Sequence, residues 1–267
     1  TMTGCAPVSD PSGTGWLPNQ YRNASAMPAQ VKGRVPLDPD NVSLVRNDEK
    51  CILCGQCIEA CEKVQSVFGY YELPVHDDFI CVHCGQCSLW CPTGAIAERD
   101  VIEDVWKAIE DPETTVIVQT SPATRVGIGE EFGMGAGAWA EGQQVAALRA
   151  LGFDYVLDTN FSADLTIMEE GSELVERVTK GGVLPQLTSC CPGWVKFVEY
   201  YYPELIPNLS SARSPMMMHG STLKTYNADK LGIDYKKIVN VAIMPCVAKK
   251  FEISRSQFHG LEGGAGK

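Results

Sequence analysis

Eight of the twelve cysteines fall between residues 51 and 91, and they repeat one spacing. Cys51, Cys54, Cys57 and Cys61 follow C-x2-C-x2-C-x3-C, and Cys81, Cys84, Cys87 and Cys91 follow it again, with Pro92 after the last. Three thiolates two residues apart wrap one iron–sulfide cube, while the fourth is carried by the next turn to the neighbouring cube. Cys51, Cys54, Cys57 and Cys91 are therefore assigned to one 4Fe–4S cluster, and Cys81, Cys84, Cys87 and Cys61 to a second. Structural zinc uses pairs of ligands rather than runs of four, and disulfide scaffolds are usually short secreted chains. The chemistry on offer is one-electron transfer. Gly55 and Gly85 are read as relieving crowding where the backbone passes each cluster. His83, inside the second run, is read as a surface residue beside the cluster, with tuning of its potential as the other role.

A second group of residues suggests catalysis. Cys190 and Cys191 are adjacent in "LPQLTSCCPGWVKF" (184–197). Neighbouring side chains on an extended segment point to opposite faces, so two such thiols face different surroundings. "TSP" (120–122), "SCC" (189–191) and "MPC" (244–246) each follow a strand-like run. Sites in open α/β sheets are built at strand ends, so three loops are expected to converge on one centre. Glu170, Glu173 and Arg177 have the i, i+3, i+7 spacing of one helical face. On an ordinary helix that is a solvated ion-pair ladder.

These groups need elements to position them. "TVIVQT" (115–120), "DYVLDT" (154–159), "VLPQLTS" (183–189) and "IVNVAIMPC" (238–246) read as strands. "AWAEGQQVAALRALG" (138–152), "SADLTIMEEGSELVERVTKGG" (162–182, with Ser162 as N-cap) and "PGWVKFVEYYY" (192–202) read as helices. The alternation is that of βαβ units. Residues 1–46, rich in Pro, Gly, Ser and Asn, read as an extended arm with little regular structure. Residues 47–98 form the two-cluster domain and 99–267 the catalytic domain.

Length and charge bound the rest. The 267 residues are enough for two domains. A formal charge of −11 argues against nucleic acid, which requires clustered Lys and Arg. No run of about 18 apolar residues is present, so no membrane span is expected, and the first residues lack the pattern of a secretory signal. The expected location is cytoplasmic, or periplasmic if the chain is exported with a partner.

"TSCCPGW" (188–194), "MPCVAKKFE" (244–252), "ADLTIMEEGSEL" (163–174) and "QTSPATRVGIGEEFG" (119–133) together resemble the iron–iron hydrogenases, over about residues 47–258. The resemblance implies an α+β ferredoxin-like two-cluster domain followed by an α/β hydrogenase catalytic domain. It implies an H-cluster, a 4Fe–4S cube joined through a cysteine sulfur to a two-iron unit with CO, cyanide and a bridging dithiolate. The activity implied is reversible hydrogen oxidation and proton reduction, with a ferredoxin or cytochrome as redox partner. Cys191 and Cys246 would ligate the cube, and Cys190 would stay a free thiol passing protons. Lys249 would reach one cyanide, with Lys250 as its neighbour and competitor. Ser121, Pro122 and the backbone at Ala123 would line the other. Met244 and Met216 would pack against the cofactor. Glu170 would take a proton from Cys190, Ser210 would pass it to Glu173, and Arg177 would gate the exit. Carboxylates in such a relay are expected to have pKa values raised by burial.

Two departures from the family pattern stand out. Met216 occupies a position where the family commonly has glutamine, and a thioether donates no hydrogen bond. The family's last motif, two further cysteines in a glycine-rich loop, is not found before "LEGGAGK", and Cys5 lacks any matching motif. The expectation is that a C-terminal segment, on this chain or a second one, completes the H-cluster. Alternatives to turnover are a hydrogen sensor and an iron–sulfur scaffold relative of the hydrogenases.

Overall fold

A computed structural model describes residues 37, 39–61 and 81–258 of the chain. Cys5 and most of the expected N-terminal arm lie outside them. The chain forms two compact units. One is built from the described residues up to Arg99, Lys196–Pro203 and the segment from Lys250; the other is built from Asp100–Val195 and Glu204–Lys249.

In the first unit β1 (Leu44–Arg46) is followed by two short helices, α1 (Gln56–Glu59) and α2 (Gln86–Leu89), and then by β2 (Ile96–Glu98). The end of the expected arm is thus a strand: β1 pairs antiparallel with β2, Leu44 opposite Glu98 and Arg46 opposite Ile96. Each short helix starts inside a cysteine run. The glycines before them, Gly55 and Gly85, have φ of 78° and 79°. A left-handed backbone favours glycine there. The residues two positions earlier, Leu53 and His83, share the feature with φ of 56° and 61°. The repeat in sequence is therefore a repeat in backbone conformation.

The second unit contains α3 (Ile102–Glu110), β3 (Thr115–Thr120), α4 (Thr124–Glu131), α5 (Glu141–Leu151), β4 (Tyr155–Asp158) and α6 (Asn160–Lys180). These are followed by α7 (Pro192–Tyr201), α8 (Pro215–Thr222), α9 (Ala228–Leu231), β5 (Ile238–Ile243) and α10 (Ala248–Ser254). Helices α7 and α10 continue into the first unit. The sheet order is β4-β3-β5, with both pairs parallel. Central β3 is covered on both faces, as its continuous apolar run requires. Val116 and Val118 pack with Leu148 and Phe153. Ile117, pointing the other way, packs with Leu223, Ala228 and Ile238.

Two sequence expectations fail here. "VLPQLTS" (183–189) is not a strand; only Leu187 pairs, in an isolated parallel bridge to Leu209. Pro185 has no N–H to give a ladder, and its carbonyl is taken instead by the Asn208 side-chain amide at 2.7 Å. Ser162 is not the N-cap of α6. The helix begins at Asn160, and the Ser162 hydroxyl donates back to the Thr159 carbonyl at 2.8 Å inside the first turn. Gly181, with φ 80°, ends that helix, and Gly152, with φ 105°, ends α5.

Ile117 is fully buried at the centre of the sheet. Ile117→Ala should lower unfolding stability by about 2–5 kcal/mol. The drop is read as a lower denaturant midpoint at unchanged slope.

Candidate functional site

In the first unit Cys61 sits among Cys84, Cys87, Cys81 and Cys57. Burial, and then those four thiols, push its pKa far above the usual thiol range. Burial likewise pushes Cys87 up to about 12, with Cys81, Cys84 and Cys57 adding to it. Thiolates so crowded and buried repel one another and lack water, so they ionise only with cationic metal among them. The fourth cysteine of the first run thus stands with the first three of the second. Val82 and Tyr201 form an apolar shell against which Cys61, Cys84, Phe197 and Tyr202 pack. This donor set fits a 4Fe–4S cube.

Cys91 has different surroundings. Burial opposes its thiolate, but backbone N–H groups of Ile96, Thr93 and Ala95 and the Thr93 hydroxyl outweigh it and hold the pKa below the usual value. The Ala95 N–H lies 3.2 Å from Cys91 Sγ. Such N–H···S bonds suit a sulfur that carries charge when it ligates iron.

His83 is buried, not on the surface. Its ring stacks on Phe251 at 4.5 Å between centroids. The Lys196 ammonium, which can only donate, lies 3.0 Å from His83 Nε2. That makes Nε2 the acceptor and Nδ1 the protonated nitrogen, which donates to Asn41 Oδ1 at 3.2 Å. The Asn41 amide then donates to Cys81 Sγ at 3.5 Å. Burial, and then Lys196, lower the His83 pKa to about 4. Burial also lowers the Lys196 pKa, against the pull of Cys81.

In the second unit the loop after β3 is anchored by Arg125. This buried side chain makes two bonds to Asp158 at the end of β4, at 2.8 and 3.0 Å, and one to Glu141 at 3.2 Å. Ser121 is buried and its hydroxyl has no partner among the described residues. Pro122 and Ala123 beside it are exposed. Cys190 and Cys191 are exposed on the loop leading into α7, and the Trp194 N–H reaches Cys191 Sγ at 3.4 Å. Cys246 is half-buried just past β5, with Met244 half-buried two residues before it. The Lys249 ammonium donates to the Cys190 carbonyl at 2.7 Å, which brings the two cysteine-bearing loops together. Met216 is buried in α8, and its carbonyl accepts from Gln119 Nε2 at 3.2 Å.

The helical face of α6 is not one continuous ladder. Glu173 and Arg177 pair at 2.6 Å, and the Ser210 hydroxyl donates to Glu173 Oε2 at 2.7 Å. Arg177 also donates to the carbonyls of Leu209, at 2.7 Å, and Val183, at 3.1 Å, so it clamps α6 to the following loops. Glu170 stands apart from the pair. Its Oε1 is buried without a partner among the described residues, and its backbone carbonyl accepts from Gln186 Nε2 at 3.1 Å. Burial does raise the Glu173 carboxyl, but Ser210, Arg177 and the Ser211 N–H outweigh it, so its pKa falls instead of rising.

The sequence reading did not single out Asn41, Gln186, Lys196, Arg125 or Asp158. Asn41 carried one signal, since its Oδ1 caps the Ser43 and Leu44 N–H groups at 2.9 and 3.0 Å, a turn typical of Asn. The other four reach partners 16 to 113 residues away.

Residues 114–263 match the family described as "Iron only hydrogenase large subunit, C-terminal domain", and residues 44–63 match "4Fe-4S binding domain". The chain is 45% identical over 238 residues to "NADP-reducing hydrogenase subunit HndD" of Solidesulfovibrio fructosivorans, covering 82% of this chain and 40% of that protein. Among solved structures, apo [FeFe]-hydrogenase HydA1 from Chlamydomonas reinhardtii, variant C377H, superposes with a TM-score of 0.57 at 47% identity, over 59% of this chain and 41% of that one. The chain is also 28% identical over 262 residues to "Cytosolic Fe-S cluster assembly factor NAR1" of Sclerotinia sclerotiorum, covering 94% of this chain and 43% of that protein. It thus spans about two fifths of the length of each of these relatives. Among the described residues no helix is long and apolar enough to cross a membrane.

The lowered Glu173 pKa sets a pH dependence. Its ionised form contributes stability that is present above the usual carboxyl value of 4.5 and is lost as pH falls through the lower folded value. The melting temperature of Glu173→Gln should lie below that of the parent at neutral pH. The gap should close as pH drops below 4.5, which thermal melts across a pH series would read.

Proposed function

The chain belongs to the iron-only hydrogenase family, and on that premise we propose that it serves reversible hydrogen oxidation and proton reduction, with electrons passing through two 4Fe–4S clusters. When bound, the H-cluster supplies the metal chemistry that exchanges H2 for protons and electrons. Cys191 and Cys246 would ligate its cube, alongside two ligands from the segment that carries the family's last cysteine motif. Ser121 and Lys249 are polar groups suited to the cyanides.

The observation that supports this reading most is the bond from the Lys249 ammonium to the Cys190 carbonyl, 2.7 Å long. One contact fixes the backbone at the proposed proton-carrying thiol and ties it to the loop of a proposed ligand. Cys190 then holds a transferable proton at Sγ. Glu170 offers a buried oxygen that has no other described partner. Ser210 holds its hydroxyl on Glu173 Oε2, so a proton arriving at Ser210 has a carboxylate waiting. Arg177 keeps that carboxylate oriented and ionised. A ferredoxin or a cytochrome is the proposed electron partner. The 28% relative named as a cluster assembly factor favours a second reading, an iron–sulfur assembly protein without hydrogen turnover.

Two measurements test these readings. Fully loaded, anaerobic protein should carry about eight irons in the two ferredoxin-type clusters, with two reduced-cluster signals in electron paramagnetic resonance. Fewer than about seven irons there would remove the two-cluster ligation. Cys190→Ala, tested in protein matured with the two-iron unit and joined to the C-terminal segment of its relatives, should keep that iron. Its dye-driven hydrogen evolution should fall by about 10²-fold or more, the scale of a lost proton-transfer group. If the parent protein so matured evolves no hydrogen and lacks the infrared bands of CO and cyanide, the assembly reading prevails.

A further inference from the structure

The two cysteine runs share a backbone but not an environment. Ile52 and Leu53 in the first run are 64% and 51% exposed, while Val82 and His83, their counterparts in the second, are 5% and 6% exposed. Asp48 and Glu49 precede the first run and Asp77 and Asp78 the second, but the first also contains Glu59 whereas the second contains no carboxylate. The second has Lys196 beside it instead. This half-buried ammonium donates to His83 and lies 4.5 Å from the centroid of the Phe251 ring that His83 stacks on. Glu199, the carboxylate that attracts Lys196, is held by both guanidinium nitrogens of Arg255. Among the described residues one positive charge therefore remains close to Cys81, and the string Lys196–His83–Asn41 delivers an N–H to its sulfur.

Cluster potentials respond to net charge, to hydrogen bonds on sulfur and to solvent exposure. A cation in a partly dry site acts with little screening. We propose that Lys196 is a positioning residue that raises the reduction potential of the cluster held by Cys61, Cys81, Cys84 and Cys87, so that an electron resides there in preference to the cluster held by Cys51, Cys54, Cys57 and Cys91. Adding one electron makes the cluster and its thiolates more negative. Lys196 stabilises that reduced form directly and His83 does so through Asn41. The inference rests on the cluster ligation proposed above.

The test is a mediated reductive titration of the loaded, full-length protein, followed by electron paramagnetic resonance. Cys54→Ser and Cys84→Ser assign the two signals. Lys196→Arg should leave both midpoints in place. Lys196→Gln keeps an N–H for His83 but removes the charge. It should make reduction of the Cys84 cluster about tenfold less favourable, a fall of about 59 mV for one electron, and move the Cys54 cluster far less. Lys196→Met, which also removes the donor, should fall at least as far. If it does not load its clusters, the Gln and Arg variants decide. Unmoved midpoints in Lys196→Gln, or equal movement of both clusters, would overturn the role of Lys196. A parent protein with one cluster signal would overturn the ligation itself.

Discussion

Thiolate charge cannot be buried without a cation to receive it, and the first unit is organised around that constraint. Cys61, Cys81, Cys84 and Cys87 stand together, and burial and the neighbouring thiols push up the pKa values of Cys61 and Cys87. Without metal the arrangement favours neutral thiols; with iron bound, the same crowding becomes ligation. The left-handed turns at Leu53, Gly55, His83 and Gly85 follow from it, since they aim backbone N–H groups inward, as from His83 to Cys81 Sγ at 3.4 Å. So does the recruitment of Phe197, Tyr201 and Tyr202, from a segment more than 100 residues downstream, to exclude water from those sulfurs.

The second unit has a different organising element. Strand β3 is buried on both faces and hydrogen-bonded on both edges, so the loop leaving it at Ser121 has a firm base. The loop leaving β5 begins beside it, since the Ser121 N–H bonds to the Ile243 carbonyl at 3.1 Å. Arg125 then locks the first loop to the end of β4. The Cys190 loop has no strand behind it. Its position comes from a set of separate bonds, which are Leu187 with Asn208 and Ser210, Ser189 with the Ala212 carbonyl and Lys249 with the Cys190 carbonyl. A loop held by a few scattered bonds adjusts more easily than one held by a ladder, which suits a segment carrying both a proposed ligand and a proposed proton carrier.

Glu173 illustrates how hydrogen bonding competes with burial. Desolvation alone would keep the carboxyl protonated, but two side chains and a backbone N–H stabilise the anion more. The same carboxylate on an isolated helix would be an exposed partner in a weak i, i+4 pair. Here it joins α6 to the Ser210–Ser211 turn.

The sequence by itself determined the local chemistry. The cysteine spacings, the glycines that stop α5 and α6, the apolar run of β3 and the family motifs are all written in neighbouring residues, because ligand bite, helix termination and strand burial act over a few positions. Tertiary structure decided which residues meet across long stretches of chain. Residues 183–189 read as a strand because they form a short, largely apolar run, yet with Pro185 in it the segment makes only one bridge among the described residues. His83, read as a surface residue from its place inside the cysteine run, is covered instead by Phe251 and Lys196, 168 and 113 residues away. Glu173 has a lowered pKa because Ser210 and Ser211, from the far side of α7 in the chain, join Arg177 in stabilising its anion. In each case the deciding force, whether burial, a hydrogen bond or a nearby charge, falls off over a few ångströms of space regardless of separation along the chain, so only the folded backbone could bring it into range.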